Sequence, residues 1–342
     1  MSGIFVRPNI ASLLPYSTAR DEYSGSLGIF LDANESPYEN GFNRYPDPRQ
    51  KALKARICAL KGLKEENLFL GNGSDEAIDL VFRIFCEPGK DNAVAIVPSY
   101  GMYTVAAAIN DVKVKGVPLG PDFSLDPEVL LSACNGNTRV IFLCSPNNPS
   151  GNAFPREQIL EVVDRFSGIV VLDEAYVDFS LKGSLAAEAV SRENLIILQT
   201  LSKARAMAGL RIGMAISCEA VIRLMNMVKY PYNISLAAME KAMELLDTPI
   251  DDKVETIILE RSGLTVALAG FPFVERVFDS DANFLLVKVR DADGLYDHLI
   301  SRGIIVRNRN RVPLCEGCLR ITVGLPEENR SLLKALNDYD YQ

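Results

Sequence analysis

The sequence predicts an α/β protein: a large domain on a mainly parallel sheet flanked by helices, then a smaller α+β domain. Between Asn92 and Ser217, short and almost continuously apolar runs alternate with amphipathic stretches. This alternation is typical of strands buried on both faces of a sheet and joined by helices. After Asn233 the pattern changes to a long helical stretch, roughly Leu236 to Leu268, which leads into a second unit. A chain of 342 residues is long enough for two domains.

The individual elements follow from apolar runs and their periodicity. Five strands are predicted in the large domain, at Ala93–Val97, Val140–Cys144, Ile169–Leu172, Leu195–Gln199 and Ile212–Ile216. Helices are predicted at Asp75–Phe85 and at Pro155–Phe166, where the proline would occupy the first turn.

The second unit is predicted to mix strands and helices. Strands are expected at Asn283–Val289 and Cys318–Gly324, and helices at Ala292–Arg302 and Pro326–Tyr339. We therefore divide the chain into an N-terminal arm at 1–30, a large domain at 31–235 and a small domain at 236–342.

Composition argues against several classes of protein. The net charge of −8 argues against a nucleic-acid binder. No apolar run approaches the ~18 residues needed to span a bilayer, and the first fifteen residues carry no secretory signal. Seven scattered cysteines favour reduced thiols in a cytoplasmic protein. The lone motif Cys315-Glu316-Gly317-Cys318 and a single histidine, His298, lack the ligands of a zinc site, so no metal is predicted. The apolar spacing around His298 favours a place on a helix.

The candidate chemistry centres on Lys203, which follows Thr200-Leu201-Ser202 and precedes Arg211 by eight residues. A lysine amine can form a Schiff base with an aldehyde, while Thr200, Ser202 and Arg211 can hold a phosphate. Thirty residues upstream, Asp173 follows an apolar strand, where a carboxylate can hold a pyridinium proton. Together these features predict pyridoxal 5'-phosphate (PLP) as cofactor. Taken singly, Lys203 could be a solvated residue at a strand end and Asp173 a helix cap.

Further segments could contribute to the same site. The glycine-rich turn Gly71–Glu76 opens a predicted helix, whose free N–H groups suit an anion, although a simple capped turn is the alternative. Asn148 and Tyr176 could donate to the ring hydroxyl of the cofactor, and Tyr100 could stack on its pyridine ring. The alternatives are ordinary turn formation for the Asn148 segment and core packing for Tyr100.

Two arginines indicate an anionic substrate. Arg320 lies inside the apolar run Leu319–Val323, so its charge needs either a structural ion pair or a substrate anion as partner. Arg307 lies thirteen residues earlier at the head of a basic cluster, and the pair favours a doubly anionic substrate or a substrate phosphate. Arg309 and Arg311 of the same cluster are expected to lie in a solvated loop.

With these residues in view, the chain resembles the fold-type I, aspartate-aminotransferase-like PLP enzymes, and within them the histidinol-phosphate aminotransferases. The resemblance extends from Leu14-Pro15-Tyr16 to Pro326–Asn329 and so covers nearly the whole chain. It rests on six segments close to family signatures: Asp32–Tyr38, Arg44–Pro48, Gly71–Glu76, Asp173–Phe179, Lys229–Asn233 and Gly317–Gly324. It departs from the family at Arg205-Ala206-Met207, where Phe-Gly-Leu is common, and at Ser150, where threonine is commoner.

The resemblance implies a role for each cofactor residue. Lys203 would form the Schiff base and then act as general base and acid, Asp173 would pair with the pyridine nitrogen, and Tyr100 would stack on the ring. Asn148 and Tyr176 would contact the ring O3'. The cofactor phosphate would be held by the backbone of Ser74 and Asp75, by Thr200, Ser202 and Arg211, and by Tyr45 from the partner subunit of a homodimer.

The resemblance also implies the substrates. Arg320 would bind the anionic end of the amino donor, and Arg307, Tyr16 and Asn34 would help to seat histidinol phosphate. The implied reaction is reversible transamination between L-histidinol phosphate and 2-oxoglutarate in histidine biosynthesis, giving imidazole-acetol phosphate and L-glutamate. A threonine-phosphate decarboxylase or an aromatic-amino-acid aminotransferase of the same fold would use the same Lys203 and Asp173. A PLP-containing regulator is disfavoured, because the chain is acidic, lacks a spare domain and keeps Lys203.

Overall fold

A computed structural model of the chain describes residues 4–14 and 28–340. Its larger sheet has seven strands in the order β1-β7-β6-β5-β4-β2-β3. Six of these strands run in one direction, and β7 runs against both of its neighbours. The strands are β1 at Leu68–Asn72, β2 at Asn92–Val97, β3 at Lys113–Pro118, β4 at Thr138–Cys144, β5 at Ile169–Asp173, β6 at Leu195–Thr200 and β7 at Ile212–Ile216. The predicted α/β fold with a mainly parallel sheet is confirmed.

Helices cover both faces of this sheet because successive side chains of each strand point to opposite sides. In β1, Leu68 and Leu70 join one hydrophobic cluster and Phe69 joins another on the opposite face. The helices are α1 at Pro8–Ala11, α2 at Lys51–Lys61, α3 at Ser74–Phe85, α4 at Met102–Ile109, α5 at Pro127–Ser132, α6 at Arg156–Arg165, α7 at Ala186–Ala189 and α8 at Glu219–Val228. Single 3₁₀ turns lie at Glu65–Asn67, Val177–Phe179 and Ala208–Leu210.

The helical stretch predicted at about 236–268 is in fact two helices, α9 at Leu236–Leu246 and α10 at Asp251–Ala269. Pro249 lies in the break between them. Proline lacks the backbone N–H that a continuous helix needs and disfavours helical backbone in the residue before it, so one helix could not continue through this position.

A second sheet lies in the C-terminal part and is antiparallel, in the order β10-β11-β9-β8. Its strands are β8 at Val274–Val277, β9 at Phe284–Val289, β10 at Arg307–Asn308 and β11 at Cys318–Thr322. Helices α10, α11 at Ala292–Ser301 and α12 at Pro326–Asn337 contribute to a hydrophobic cluster with one face of this sheet. Leu286 and Cys318 on the other face belong to the same cluster as Leu70 of the large sheet, so that face is turned towards the large sheet. The domain limits at 30/31 and 235/236 remain a prediction.

Candidate active site

The candidate site lies at one edge of the large sheet, where β1, β4, β5 and β6 end. Because β7 runs in the opposite direction, it begins at this edge instead of ending there. Gly213 of β7 pairs with Thr200 at the end of β6, and Asp173 at the end of β5 pairs with Cys144 of β4. Ligands of open α/β sheets bind at the carboxyl ends of the strands, so this edge is the expected position.

Asp173 is 3% exposed and has two hydrogen-bond donors. The hydroxyl of Tyr103 donates to Oδ2 over 2.7 Å, and the backbone N–H of Ala175 donates to Oδ1 over 3.0 Å. Burial raises the pKa of Asp173 to about 6, while both hydrogen bonds act in the opposite direction. A buried carboxylate held in this way attracts a positively charged or protonated partner.

Lys203 lies on the short loop after β6 and is partly buried. Its Nζ lies 5.6 Å from the ring centroid of Tyr176. Burial lowers the pKa of Lys203, and the positive charge of Arg320 lowers it further, against the opposing effect of Asp173. A lysine with a lowered pKa is neutral for a larger fraction of the time, as a nucleophile or a general base requires.

An anion cradle lies where β7 begins beside the start of α3. Gly73 precedes the helix with φ +78°, and a Cβ there would lie 2.7 Å from Nη2 of Arg211. A Cβ at Gly213 would collide with the backbone nitrogen of Ser74. The two glycines therefore allow β7 and the helix start to approach closely, which exposes free N–H groups of the first turn beside a guanidinium.

Hydroxyl groups border the same cradle. The Thr200 hydroxyl donates to Ser202 Oγ over 2.9 Å and accepts a hydrogen bond from the Ser202 backbone N–H over 3.0 Å. Asp75 connects two other predicted cofactor residues, because its Oδ2 lies 3.6 Å from Arg211 Nη2 and its Oδ1 accepts from the Tyr100 hydroxyl over 3.2 Å. The Asp75 side chain thus orients its neighbours, while its backbone N–H lies in the first turn of α3.

Asn148 connects the two sheets. Its Oδ1 accepts a hydrogen bond from Arg320 Nη1 over 2.5 Å, which leaves its amide N–H₂ available to a ligand. The preceding Asn147 holds the loop, since its Nδ2 donates to Pro98 O and Ser150 Oγ over 3.0 and 2.8 Å. Arg320 is therefore partnered by an amide and has no carboxylate ion pair among residues 4–14 and 28–340.

Arg307 and Arg320 pair directly across β10 and β11, so the structure brings together the two arginines of the predicted anion site. The expectation for Arg309 is wrong: its side chain is partly buried, and its buried Nε has no hydrogen-bond partner. The backbone N–H of Arg309 donates to Cys318 O over 2.9 Å, which continues the pairing of β10 and turns the residue inward. Arg311, two residues further on, is exposed as predicted.

Three further predicted residues are Tyr45, Asn34 and Tyr16. Tyr45 is half-exposed and stacks on Tyr232, with ring centroids 4.5 Å apart. Asn34 is exposed and has φ +54°. Tyr16 lies outside the residues that the structure describes.

Sequence reasoning missed Tyr103, whose hydroxyl contacts Asp173. Its ring is fully buried between Tyr100 and Phe142, at centroid distances of 5.7 and 4.8 Å. A signal was available: Tyr103 follows Tyr100 by three residues, a spacing that places two side chains on one side of a helical turn.

Other parts of the chain offer fewer groups for catalysis or ligand binding. His298 lies on α11 as predicted, with a ring nitrogen 2.9 Å from Ala335 O. All seven cysteines are free thiols. Within residues 4–14 and 28–340, no group of three or more metal-ligating side chains is placed to hold an ion. Over the same residues, no helix has the length and apolar character needed to cross a membrane.

Comparison with known proteins decides the family. The family model for aminotransferase class I and II matches residues 31–336. The chain belongs to the class I and II aminotransferases. It is 52% identical to histidinol-phosphate aminotransferase of Parabacteroides distasonis, with 97% of each chain covered. It is 51% identical to the enzyme of the same name from Bacteroides fragilis, again with 97% of each covered.

Solved structures agree with this assignment. Histidinol-phosphate aminotransferase of Clostridium acetobutylicum superimposes with a TM-score of 0.80 at 26% identity, over 87% of this chain and 90% of that one. The enzyme from Sinorhizobium meliloti, solved in complex with pyridoxal 5'-phosphate, has a TM-score of 0.79 at 24% identity. The superposition covers 86% of this chain and 82% of that one.

The residues at the sheet edge fit this cofactor. A cationic cradle at a helix start suits a phosphate, and a buried carboxylate with a raised pKa suits a pyridinium nitrogen. At the same edge, Lys203 supplies an amine whose pKa is lowered by burial. PLP needs all three groups, and they converge at the ends of β5 and β6 and the start of α3.

Proposed function

We propose that this protein catalyses reversible transamination between L-histidinol phosphate and 2-oxoglutarate, giving imidazole-acetol phosphate and L-glutamate, in histidine biosynthesis. The observation that carries the proposal is the pairing of Arg307 and Arg320 across β10 and β11. These two cations lie beside a PLP-type site and have no carboxylate ion pair in the described part of the chain. The curated relatives that are about half identical over nearly the whole chain bear the corresponding name.

Each residue of the site has a proposed task. When bound, PLP supplies an aldehyde that takes up the amino group and a protonated ring that withdraws electrons from it. Asp173 holds the proton at the pyridine nitrogen, and the hydroxyl of Tyr103 orients the Asp173 carboxylate. Lys203 moves a proton at the substrate α-carbon, a task that suits an amine with a lowered pKa.

The remaining residues bind and orient. The backbone of Ser74 and Asp75, with Thr200, Ser202 and Arg211, would hold the cofactor phosphate, and Tyr100 would stack on the ring. Asn148 and Tyr176 would contact the ring hydroxyl. Tyr176 is buried against Phe284 at a centroid distance of 5.1 Å, which limits its movement. Arg320, hydrogen-bonded to Asn148, receives the anionic end of each substrate.

A direct test uses the visible absorption spectrum of the PLP-loaded protein. L-Histidinol phosphate should remove the absorption band of the bound cofactor with release of imidazole-acetol phosphate, and 2-oxoglutarate should restore the band with release of L-glutamate. Reaction only with O-phospho-L-threonine, with release of carbon dioxide, would instead identify a decarboxylase. Reaction with phenylalanine but not with L-histidinol phosphate would identify an aromatic-amino-acid aminotransferase.

We further propose that the active form is a cytoplasmic homodimer in which Tyr45 reaches the cofactor phosphate of the partner subunit. An exposed aromatic segment supports this, since Tyr38, Phe42 and Tyr45 are 82%, 62% and 50% exposed. Exposed large apolar side chains grouped in one segment are what a protein–protein interaction surface would present. Arg44 Nη1 donates to Glu35 Oε2 over 2.8 Å, which helps to order the segment.

Subunit mixing tests this assembly. Tyr45→Ala and Lys203→Ala homodimers should each be impaired. A mixed dimer would contain one site with both native residues if Tyr45 acts across the interface, so activity should return to about half of wild type per dimer. No recovery above the homodimer levels would show that Tyr45 acts within its own subunit or not at all.

A further inference from the structure

We infer that Arg309 is a third cation of the substrate anion site and that it makes the site prefer a phosphate monoester to a carboxylate. The inference deepens the proposed function and rests on it for the identity of the phosphorylated substrate. Arg309 lies two residues after Arg307, which pairs directly with Arg320.

The backbone places the three arginines on one face. The Arg309 N–H donates to Cys318 O over 2.9 Å, so Arg309 lies opposite Cys318, which is two residues before Arg320. Residues two apart in a strand point to the same side. The intervening Asn308 points the other way and donates to Asp293 Oδ1 over 2.6 Å.

The face that carries the arginines is turned towards the cofactor site. Leu286 pairs with Arg320 in the sheet and packs in the core that includes the large sheet. Arg320 itself reaches Asn148 on the loop after β4. An anion held here would therefore lie next to the predicted positions of the ring and of Lys203.

Arg309 lacks the partners that a structural arginine would have. It forms no ion pair and no side-chain hydrogen bond in residues 4–14 and 28–340, although its Nε is buried. Burial lowers the pKa of Arg309, and the positive charges of Arg320 and Arg307 lower it further. A partly buried cation beside two others is unfavourable unless an anion joins them.

The loop is built to hold Arg309 in place without a ligand. Asn310 Nδ2 donates to Asp293 Oδ2 over 3.1 Å, and Asn310 Oδ1 accepts from Gly317 N over 2.8 Å. Asp293 thus binds the two asparagines that flank Arg309. Because the backbone is fixed by these contacts, little ordering is needed when the guanidinium meets an anion.

The charge and shape of the cluster select the ligand. A carboxylate carries one negative charge on two oxygens, which one bidentate arginine can satisfy. A phosphate monoester carries about 1.5 to 2 negative charges at pH 7 and has three acceptor oxygens. Three arginines exceed the needs of a carboxylate and match those of a phosphate group.

The test compares Arg309→Gln with Arg311→Gln, which removes the same charge from an exposed position two residues away. Calorimetric titration of the PLP-loaded proteins with methyl phosphate and with acetate measures the preference directly, without any reaction. We expect Arg309→Gln to weaken methyl phosphate binding about tenfold or more, because a charge-assisted hydrogen bond is lost. Acetate binding should weaken about threefold or less. Arg309→Lys should retain part of the affinity, and Arg311→Gln should match wild type.

Steady-state kinetics add a second measurement. In Arg309→Gln, KM should rise for L-histidinol phosphate much more than for L-glutamate, with little change in kcat. Unfolding in urea should show no loss of stability, because the substitution removes a cation from among like charges. A loss of stability with unchanged selectivity would assign Arg309 a structural role and overturn the inference.

The outcomes separate the two proposals. If wild type prefers methyl phosphate but does not react with L-histidinol phosphate, the anion site stands and the proposed reaction is wrong. If wild type reacts with L-histidinol phosphate but Arg309→Gln binds methyl phosphate as wild type does, the reaction stands and the role of Arg309 is wrong.

Discussion

Replacing Tyr103 with phenylalanine would remove the hydroxyl that donates to Asp173 Oδ2 over 2.7 Å, and would leave the ring packed on Phe142. Burial raises the pKa of Asp173 from 3.8 to about 6, and the Tyr103 hydroxyl and the Ala175 N–H oppose this rise. The hydroxyl therefore stabilises the charged form of the carboxyl, so its loss should raise the pKa of Asp173 further.

The size of the effect follows from the charge on the acceptor. A hydrogen bond to a charged group contributes about 1.5–3 kcal/mol, and one pKa unit corresponds to about 1.4 kcal/mol, so the pKa should rise by about one to two units. The pKa of Asp173 in the folded protein lies above its value in the unfolded chain. At pH values between these two pKa values, the folded state therefore binds more protons than the unfolded state. The contribution of Asp173 to stability is consequently lost as pH rises through the folded pKa. The free energy of unfolding of Tyr103→Phe should be lower than that of wild type by about 1.5–3 kcal/mol at pH 8.5. The difference should be smaller at pH 4.5, where the Asp173 carboxyl is protonated in both folded proteins.

Urea unfolding of the cofactor-free proteins at the two pH values measures this difference. Tyr296→Phe is the control, because Tyr296 is partly buried against the core of the small sheet and its hydroxyl has no partner in the described ranges. Repeating Tyr103→Phe in an Asp173→Asn background should abolish the pH dependence. An equal deficit at both pH values, or the same pH dependence in the Asp173→Asn background, would refute the reasoning.

Three more predictions follow from the site. Lys203→Ala should abolish borohydride trapping of PLP, measured by mass spectrometry. It should also lower the rate of transamination by at least about a thousandfold, as is typical for loss of a catalytic acid–base group. Trapping at another lysine would contradict the assignment. Asp173→Asn should raise the free energy of unfolding of the cofactor-free protein at pH 8.5 but not at pH 4.5, because it removes a buried charge. The activity of the PLP-loaded variant should fall, and unchanged activity would contradict the prediction. Gly213→Ala should destabilise the protein by about 1–3 kcal/mol and weaken PLP binding, because its Cβ would collide with Ser74 N; wild-type PLP affinity in a titration would contradict this.

The sequence predicted the central strands of the large sheet and failed at its margins. Ile169–Leu172 and Ile212–Ile216 are buried on both faces, so their apolar runs are continuous and easily recognised. Strand β3, with the sequence Lys-Val-Lys-Gly-Val-Pro, lies at the sheet edge and exposes alternate lysines, which hides it from a search for apolar runs. The end of β1 contains Gly71 and Asn72, which local chemistry assigns to a turn. Pairing with β7 overrides that preference.

The proposed cofactor residues could be picked out from the sequence because most of them lie close to the end of a strand in the large sheet, where α/β folds bind ligands. Two contributions were hidden for physical reasons. Tyr103 has the composition of an ordinary core aromatic, and only the packing of α4 on the sheet brings its hydroxyl to Asp173. Arg309 sits in a basic, polar segment typical of a solvated loop, and only its hydrogen bond to Cys318 O shows that β10 continues inward.

The hydrogen bond between Arg320 and Asn148 joins the residue that would meet the substrate to the residue that would meet the cofactor ring. An anion that draws the guanidinium away would release the amide oxygen, and a cofactor that reorients the amide would change how the guanidinium is held. The affinities for the substrate anion and for PLP are then thermodynamically linked. Because linkage is reciprocal, a substrate anion that changes the affinity for PLP by some factor must have its own affinity changed by PLP by the same factor.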